Sequence, residues 1–199
     1  MKIALFGTSA DPPTVGHQAV LVWLSHHYDY VAVWAANNPF KSHQTPLENR
    51  VEMLRLLIAD TNLPRQNVNL EQELSHLRTF TTVENAKQRW SQDAEFVIVI
   101  GSDLLSQFVR WYRIEDLLQS AEVLVVPRPG YAIDKSSLEK IRKLGGAISV
   151  ANLTGLDVSS TEYREHGNSS ALTPSVVAYI NQKHLYKCQD STKKKLYLH

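Results

Sequence analysis

A chain of 199 residues, 43% hydrophobic and 9% aromatic, carries enough apolar side chains for one sizeable core and is expected to form one domain. Its 21 Lys and Arg against 20 Asp and Glu leave a formal charge of +1, which argues against nucleic-acid and membrane partners and makes any phosphate binding local. The single cysteine, Cys188, excludes an internal disulfide and a cysteine-based metal cluster and fits a reducing, cytoplasmic compartment.

The chain opens with MKIALFG, an apolar strand that runs directly into a glycine loop, so no secretory signal is expected. No run approaches the roughly 18 apolar residues of a membrane helix. Strands are expected at Lys2 to Phe6, Tyr30 to Ala36, Val68 to Leu74, Glu95 to Ile100, Ala121 to Val126 and Ala147 to Asn152, because short runs rich in Val and Ile recur there. Helical periodicity falls between them, at His17 to Ser25, Leu47 to Thr61, Thr82 to Trp90, Leu104 to Ser120 and Ser136 to Gly145. Ser136 with Glu139, and Ser159 with Glu162, are spaced as capping boxes. Thr173 followed by Pro174 reads as a cap and first-turn proline for a last helix to about His184. From Lys187 the sequence (KCQDSTKKK) is polar and basic and is expected to be a flexible tail, leaving residues 1–186 as the domain. Alternating strand and helix predicts a Rossmann-like, doubly wound α/β fold, with a parallel sheet of order 3-2-1-4-5 plus a sixth strand.

Three loops carry chemistry. GTSADPPTVGH, residues 7–17, joins the first strand to a helix. Gly7 is expected to allow a tight turn, and Gly16 to let a ligand approach the helix N-terminus, whose amides and partial positive charge suit phosphate. Thr14 and His17 would bond ATP phosphates there, with His17 stabilising the charge that grows on the α-phosphate. The second loop begins GSDLL at Gly101, after the fourth strand, which in this strand order lies beside the first at the switch point. Asp103 could hold a ribose hydroxyl, an adenine or a substrate group, and Trp111 could stack on a heteroaromatic ring or be a core aromatic. In the third, VSSTEYRE from Val158, serine hydroxyls and backbone amides would meet the β- and γ-phosphates and Arg164 would reach the same anion. Lys41, in NNPFKSH after the second strand, could bind the acceptor phosphate or the α-phosphate. The adjacent His26 and His27 point apart on a helix and read as surface residues.

Residues 7–17 resemble the (H/T)xGH signature of the nucleotidyltransferase superfamily, and SSTEYR resembles its ISSTxxR signature. Through most of residues 1–186 the chain is similar to the bacterial nicotinate-nucleotide adenylyltransferases: LFGTSADPP, NPFK, RTFTTVENA and IGSDLLSQFVRW each have a counterpart there, the last with Trp111 eight residues after Asp103. The resemblance implies adenylyl transfer from ATP to nicotinate mononucleotide in NAD synthesis, releasing pyrophosphate, with Mg2+ held mainly by the ATP phosphates. It implies ATP contacts at Gly7, Thr8, Ser9, Thr14, Gly16, His17, Gly101, Asp103, Ser159, Ser160, Thr161 and Arg164. It implies pyridine-nucleotide contacts at Lys41, Thr79, Phe80, Thr81, Thr82, Asp103 and Trp111, with His17, Thr14, Lys41 and Arg164 serving the reaction. Thr14 stands where that family has a first His, Thr8 and Ala10 where it favours Gly and Phe, and Phe80 where it has Tyr.

In such a transfer the ionised acceptor phosphate attacks in line without a general base, and rate comes from holding two anions together. Three rivals stay open on sequence alone: the same transfer to nicotinamide mononucleotide, the same transfer to phosphopantetheine, and a non-catalytic nucleotide-sensing module. A homo-oligomer is compatible with the sequence.

Overall fold

The computed structural model describes residues 1–37, 44–91 and 93–186. Lys41, Cys188 and the basic tail lie outside the described residues. The apolar runs become six strands: β1 (Lys2–Thr8), β2 (Tyr30–Ala35), β3 (Val68–Leu70), β4 (Glu95–Gly101), β5 (Glu122–Val126) and β6 (Ile148–Val150). All pair in parallel, in the order β3-β2-β1-β4-β5-β6, as the strand–helix alternation predicts. The helices are α1 (Val15–His27), α2 (Leu47–Asp60), α3 (Thr79–Trp90), α4 (Leu105–Phe108), α5 (Ile114–Ser120), α6 (Lys135–Lys143), α7 (Ser160–His166) and α8 (Pro174–Lys183).

Successive strand residues face opposite sides of a sheet, so a strand covered on both faces must be apolar at every position. In β1, Ala4 and Phe6 join one core with Leu21 and Leu24 of α1, Met53, Leu54 and Leu57 of α2, and Val176 and Ile180 of α8. Ile3 and Leu5 face the other way, toward Val83 of α3, Leu105 and Phe108 of α4, Leu117 of α5 and Ile141 of α6.

Tertiary contacts displace four of the sequence boundaries. The third strand was expected to reach Leu74 but stops at Leu70, because the Gln72 side chain takes over the pairing: its amide accepts from Ala35 N and donates to Ala35 O, both at 2.9 Å. The helix expected over Leu104 to Ser120 is two helices with a turn between them. Arg113 takes a left-handed φ of 53 in that turn, which lets Phe108 and Leu117 both reach the core, and no Gly or Pro marks it in the sequence. Helix α3 begins at Thr79 rather than Thr82, so the TFTT stretch is its first turn. Helix α6 is capped by Asp134, whose carboxylate accepts from Ser136 N at 3.0 Å and from the Ser137 hydroxyl, instead of by the expected Ser136–Glu139 box. The Ser159 cap is as expected, with Oγ accepting from Glu162 N at 3.0 Å, and so is Pro174 in the first turn of α8.

One buried cation ties the carboxyl edge of β1 and β2 together. Arg50 of α2, 2% exposed, donates from Nη1 to Ser9 O at 2.9 Å and to Ala36 O at 2.7 Å, and from Nε to Thr45 O at 2.8 Å. Burial lowers its pKa and the nearby Asp11 charge opposes that shift. Because a leucine would leave three carbonyls without a donor, Arg50→Leu is expected to destabilise the fold by roughly 2–4 kcal/mol in urea unfolding.

Candidate active site

The reversal of strand order at β1 and β4 places the loops that follow these two strands side by side at the carboxyl edge. His17 lies in the first turn of α1 and is partly buried. The Thr14 backbone N–H reaches His17 Nδ1 at 3.0 Å. A backbone amide can only donate, so Nδ1 is the bare nitrogen and the ring proton sits on Nε2. From there it is donated to Thr8 Oγ1 at 2.9 Å. Burial first, then the Arg128 charge, lower the pKa of His17 from 6.5 to about 4. The imidazole is therefore neutral at pH 7, with its donor on the Nε2 side.

Thr14, expected to contact phosphate, bonds to His17 in this structure. It is 1% exposed, its amide and hydroxyl both lie 3.0 Å from His17 Nδ1, and it orients the ring. Gly7 likewise sits within the strand rather than in a turn: a Cβ there would lie 2.7 Å from the Trp34 indole, so the missing side chain is what admits that ring. At Gly16 a Cβ would come within 3.2 Å of Val158 Cγ2, so this glycine lets the SSTEYR segment close onto the start of α1.

That segment meets the first loop directly. Ser160 Oγ donates to Pro12 O at 2.7 Å, and Arg164 donates from Nη1 to Asp11 O and from Nη2 to Thr161 Oγ1 at 3.0 Å. Arg164 and Thr161 are nonetheless exposed. Ser9 contributes its carbonyl to Arg50, and Ser159 uses its hydroxyl to cap α7.

On the other side of the switch point, Gly101 ends β4 and Asp103 follows it. Asp103 Oδ2 accepts from Arg128 Nη1 at 2.8 Å, while Oδ1 is buried with no hydrogen-bond partner among the described residues. A buried carboxylate oxygen without a donor costs free energy, which a ligand hydroxyl or amide would relieve. Arg128 was not singled out from the sequence. It stands two residues beyond the end of β5, and Ser102 clamps its turn: Ser102 Oγ accepts from Arg128 N at 3.0 Å and donates to Tyr131 O at 2.9 Å. The signal available was its address after a strand at the carboxyl edge, the same argument that selects Lys41.

A second group gathers at the N-terminus of α3. Arg113 lies over the Phe80 ring at 4.1 Å and Arg78 over Tyr112 at 5.0 Å, which draws Thr79, Phe80 and Thr81 to the turn that carries Trp111. Trp111 is partly buried and tilted against Phe108, with ring centroids 4.7 Å apart. Thr82 belongs to the core instead. It is 2% exposed and its hydroxyl, expected to meet a ligand, donates to Leu74 O at 3.0 Å. His26 and His27 are exposed as expected, His27 stacked on Trp23. A groove of about 530 Å³ runs along the outer flank of α1 between Val15, Trp23 and Leu153 and includes none of the residues named for the site.

The sequence matches the cytidylyltransferase-like family over residues 5–166. A relative from Synechocystis sp., whose name reads "Probable nicotinate-nucleotide adenylyltransferase", is 40% identical over 94% of this chain and 100% of its own length. The chain belongs to this family of adenylyltransferases. The nicotinate-nucleotide adenylyltransferase of Bacillus subtilis is 28% identical over 94% of this chain and 98% of its own. In fold, the chain superposes on a Plasmodium falciparum nicotinic acid mononucleotide adenylyltransferase, complexed there with NaAD, with a TM-score of 0.80. That likeness covers 93% of this chain and 97% of the other at 22% identity.

The lowered pKa of His17 has a definite sign. Between 6.5 and about 4 the unfolded chain takes up a proton that the folded ring refuses, so this group weakens the fold progressively as pH falls through that window. Proton NMR of the His17 ring in the free protein is expected to titrate with a midpoint near 4, and a midpoint near 6.5 would contradict the burial.

Proposed function

We propose that this protein transfers the adenylyl group of ATP to nicotinate mononucleotide, forming deamido-NAD and pyrophosphate. The single observation that carries the reading is the meeting of the two superfamily signatures, with the His17 donor and Arg164 brought to one loop and the unsatisfied Asp103 oxygen across the β1–β4 crevice. Family membership narrows the acceptor to the nicotinate form and disfavours both nicotinamide mononucleotide and phosphopantetheine.

An oxygen of the acceptor phosphate attacks the α-phosphorus, a P–O bond forms, and the bond to the bridging oxygen of the β-phosphate breaks, with its electron pair leaving on pyrophosphate. The attacking oxygen is already ionised near pH 7, so no side chain need remove a proton. His17 would turn Nε2–H from Thr8 Oγ1 to a non-bridging oxygen of the α-phosphate, with Thr14 holding the ring. Arg164, the hydroxyls of Ser160 and Thr161, and the amides at the start of α1 would take the remaining phosphate charge, and Lys41 would neutralise the acceptor phosphate or the α-phosphate. Trp111 would stack on the pyridine ring, while Thr79, Phe80 and Thr81 enclose its carboxylate end. Among the described residues no group of three or more His, Cys, Asp or Glu gathers to bind a metal ion. Mg2+ would enter with the nucleotide substrate and shield its phosphates.

Pyrophosphate release with ATP and Mg2+ is expected with nicotinate mononucleotide and to be far weaker with nicotinamide mononucleotide or phosphopantetheine. ATP binding in calorimetry with no release from any acceptor would instead mark a sensing module. His17→Ala is expected to lower kcat roughly 10²–10³-fold while the chain stays folded, its thermal midpoint falling by only a few degrees as the Thr14 amide loses its partner. Trp111→Ala is expected to raise the KM of the pyridine nucleotide about tenfold, in line with the loss of one base-stacking contact.

A further inference from the structure

Helix α7 carries Ser160, Thr161 and Arg164 yet contributes no buried residue. Its core contact is Tyr163, which packs partly buried against the cluster of α1, α2 and α8, and further attachments help to fix its position. Ser160 and Arg164 bond the carbonyls of Pro12 and Asp11, and Val158 packs on Gly16. A further attachment comes from beyond α8. His184 and Tyr186 take left-handed φ values of 52 and 50, a conformation that costs non-glycine residues on the order of 1 kcal/mol each. The Tyr186 hydroxyl donates to Asp11 Oδ1 at 2.5 Å, and its ring meets Tyr163 of α7 edge-on, with centroids 5.9 Å apart at 87°. Asp11 is 4% exposed and its other oxygen accepts from Thr45 N at 3.4 Å. One side chain thus touches both Asp11, whose carbonyl holds Arg164, and Tyr163, the residue before Arg164.

We propose that Tyr186 is a positioning residue for ATP, locking Asp11 and α7 into the one relation in which Arg164 and Ser160 face the same phosphates as His17. This rests on the adenylyl-transfer reading above. Without the hydroxyl, Asp11 Oδ1 loses its donor and the buried carboxylate keeps only the longer bond from Thr45 N on its other oxygen, so the loop must move to recover a partner, carrying the Asp11 carbonyl away from Arg164. Of the proposed acceptor groups, those on α3 and at Trp111 lie on elements that this contact does not touch.

The test uses the full chain. Tyr186→Phe keeps the ring against Tyr163 and removes only the hydroxyl. Its KM for ATP, and the ATP Kd from calorimetry, are expected to rise about tenfold, equivalent to about 1.4 kcal/mol. The KM for nicotinate mononucleotide should stay within about twofold and the thermal midpoint within a few degrees. Tyr186→Leu, which also removes the ring, should weaken ATP further. An unchanged ATP Kd in both Tyr186 variants overturns the proposal. So does an equal rise in both KM values alongside a lowered thermal midpoint, the mark of a merely structural role. Failure of the wild-type chain to release pyrophosphate would count against adenylyl transfer, whereas the ATP Kd comparison needs no turnover and still decides the role of Tyr186.

Discussion

The parallel pairing of β1 with β4, in register from Lys2 opposite Glu95 to Leu5 opposite Ile98, is the constraint on which the site depends. A parallel sheet delivers every strand's carboxyl end to the same edge, and the order reverses only here. The loops leaving β1 and β4 therefore cannot be covered by a crossover helix and open as a crevice. His17, reached from β1, and Asp103, reached from β4, come to the same edge because of this pairing and not because of any direct bond between them.

Several cations gather at the carboxyl edge, some paired and others exposed. Arg50 is buried and spends its donors on three carbonyls, acting as a structural pin. Arg128 is half-neutralised by Asp103 while still acting on His17 at longer range. Arg164 spends one bond from each terminal nitrogen on Asp11 O and Thr161 Oγ1 and stays exposed, with further guanidinium donors for the proposed phosphate contact.

The neutrality of His17 follows from the same economy. A protonated imidazole beside Arg128 in a partly buried loop would be doubly disfavoured, so the ring offers a hydrogen bond instead of a charge. Thr14 suits this arrangement, since a hydroxyl next to Nδ1 adds no second positive group. Thr8 holds Nε2–H in the meantime, so the donor is aimed and satisfied before any ligand arrives.

Chemistry and topology were legible from the sequence because each has a local signature. Continuous Val and Ile runs mean strands buried on both faces, their alternation with helical period means a parallel sheet, and the two phosphate motifs follow strands at the edge where ligands bind. Boundaries and partners were less legible. The end of β3 depends on Gln72 reaching a strand 37 residues earlier, and the break between α4 and α5 depends on a left-handed Arg113 that no Gly or Pro announces. Thr14 and Thr82 look from the sequence like hydroxyls facing a ligand, and only burial shows that they serve His17 and Leu74. Arg128, Arg50 and Tyr186 have no motif, because what selects them is distance in space across 25 to 175 positions of chain. The sequence by itself determined the fold class and the reaction class and carries the two superfamily signatures, since these are written in neighbouring residues. The tertiary structure alone decided the tautomer and charge of His17, the unpaired oxygen of Asp103 and the anchoring of α7, because each arises from groups that only folding brings together.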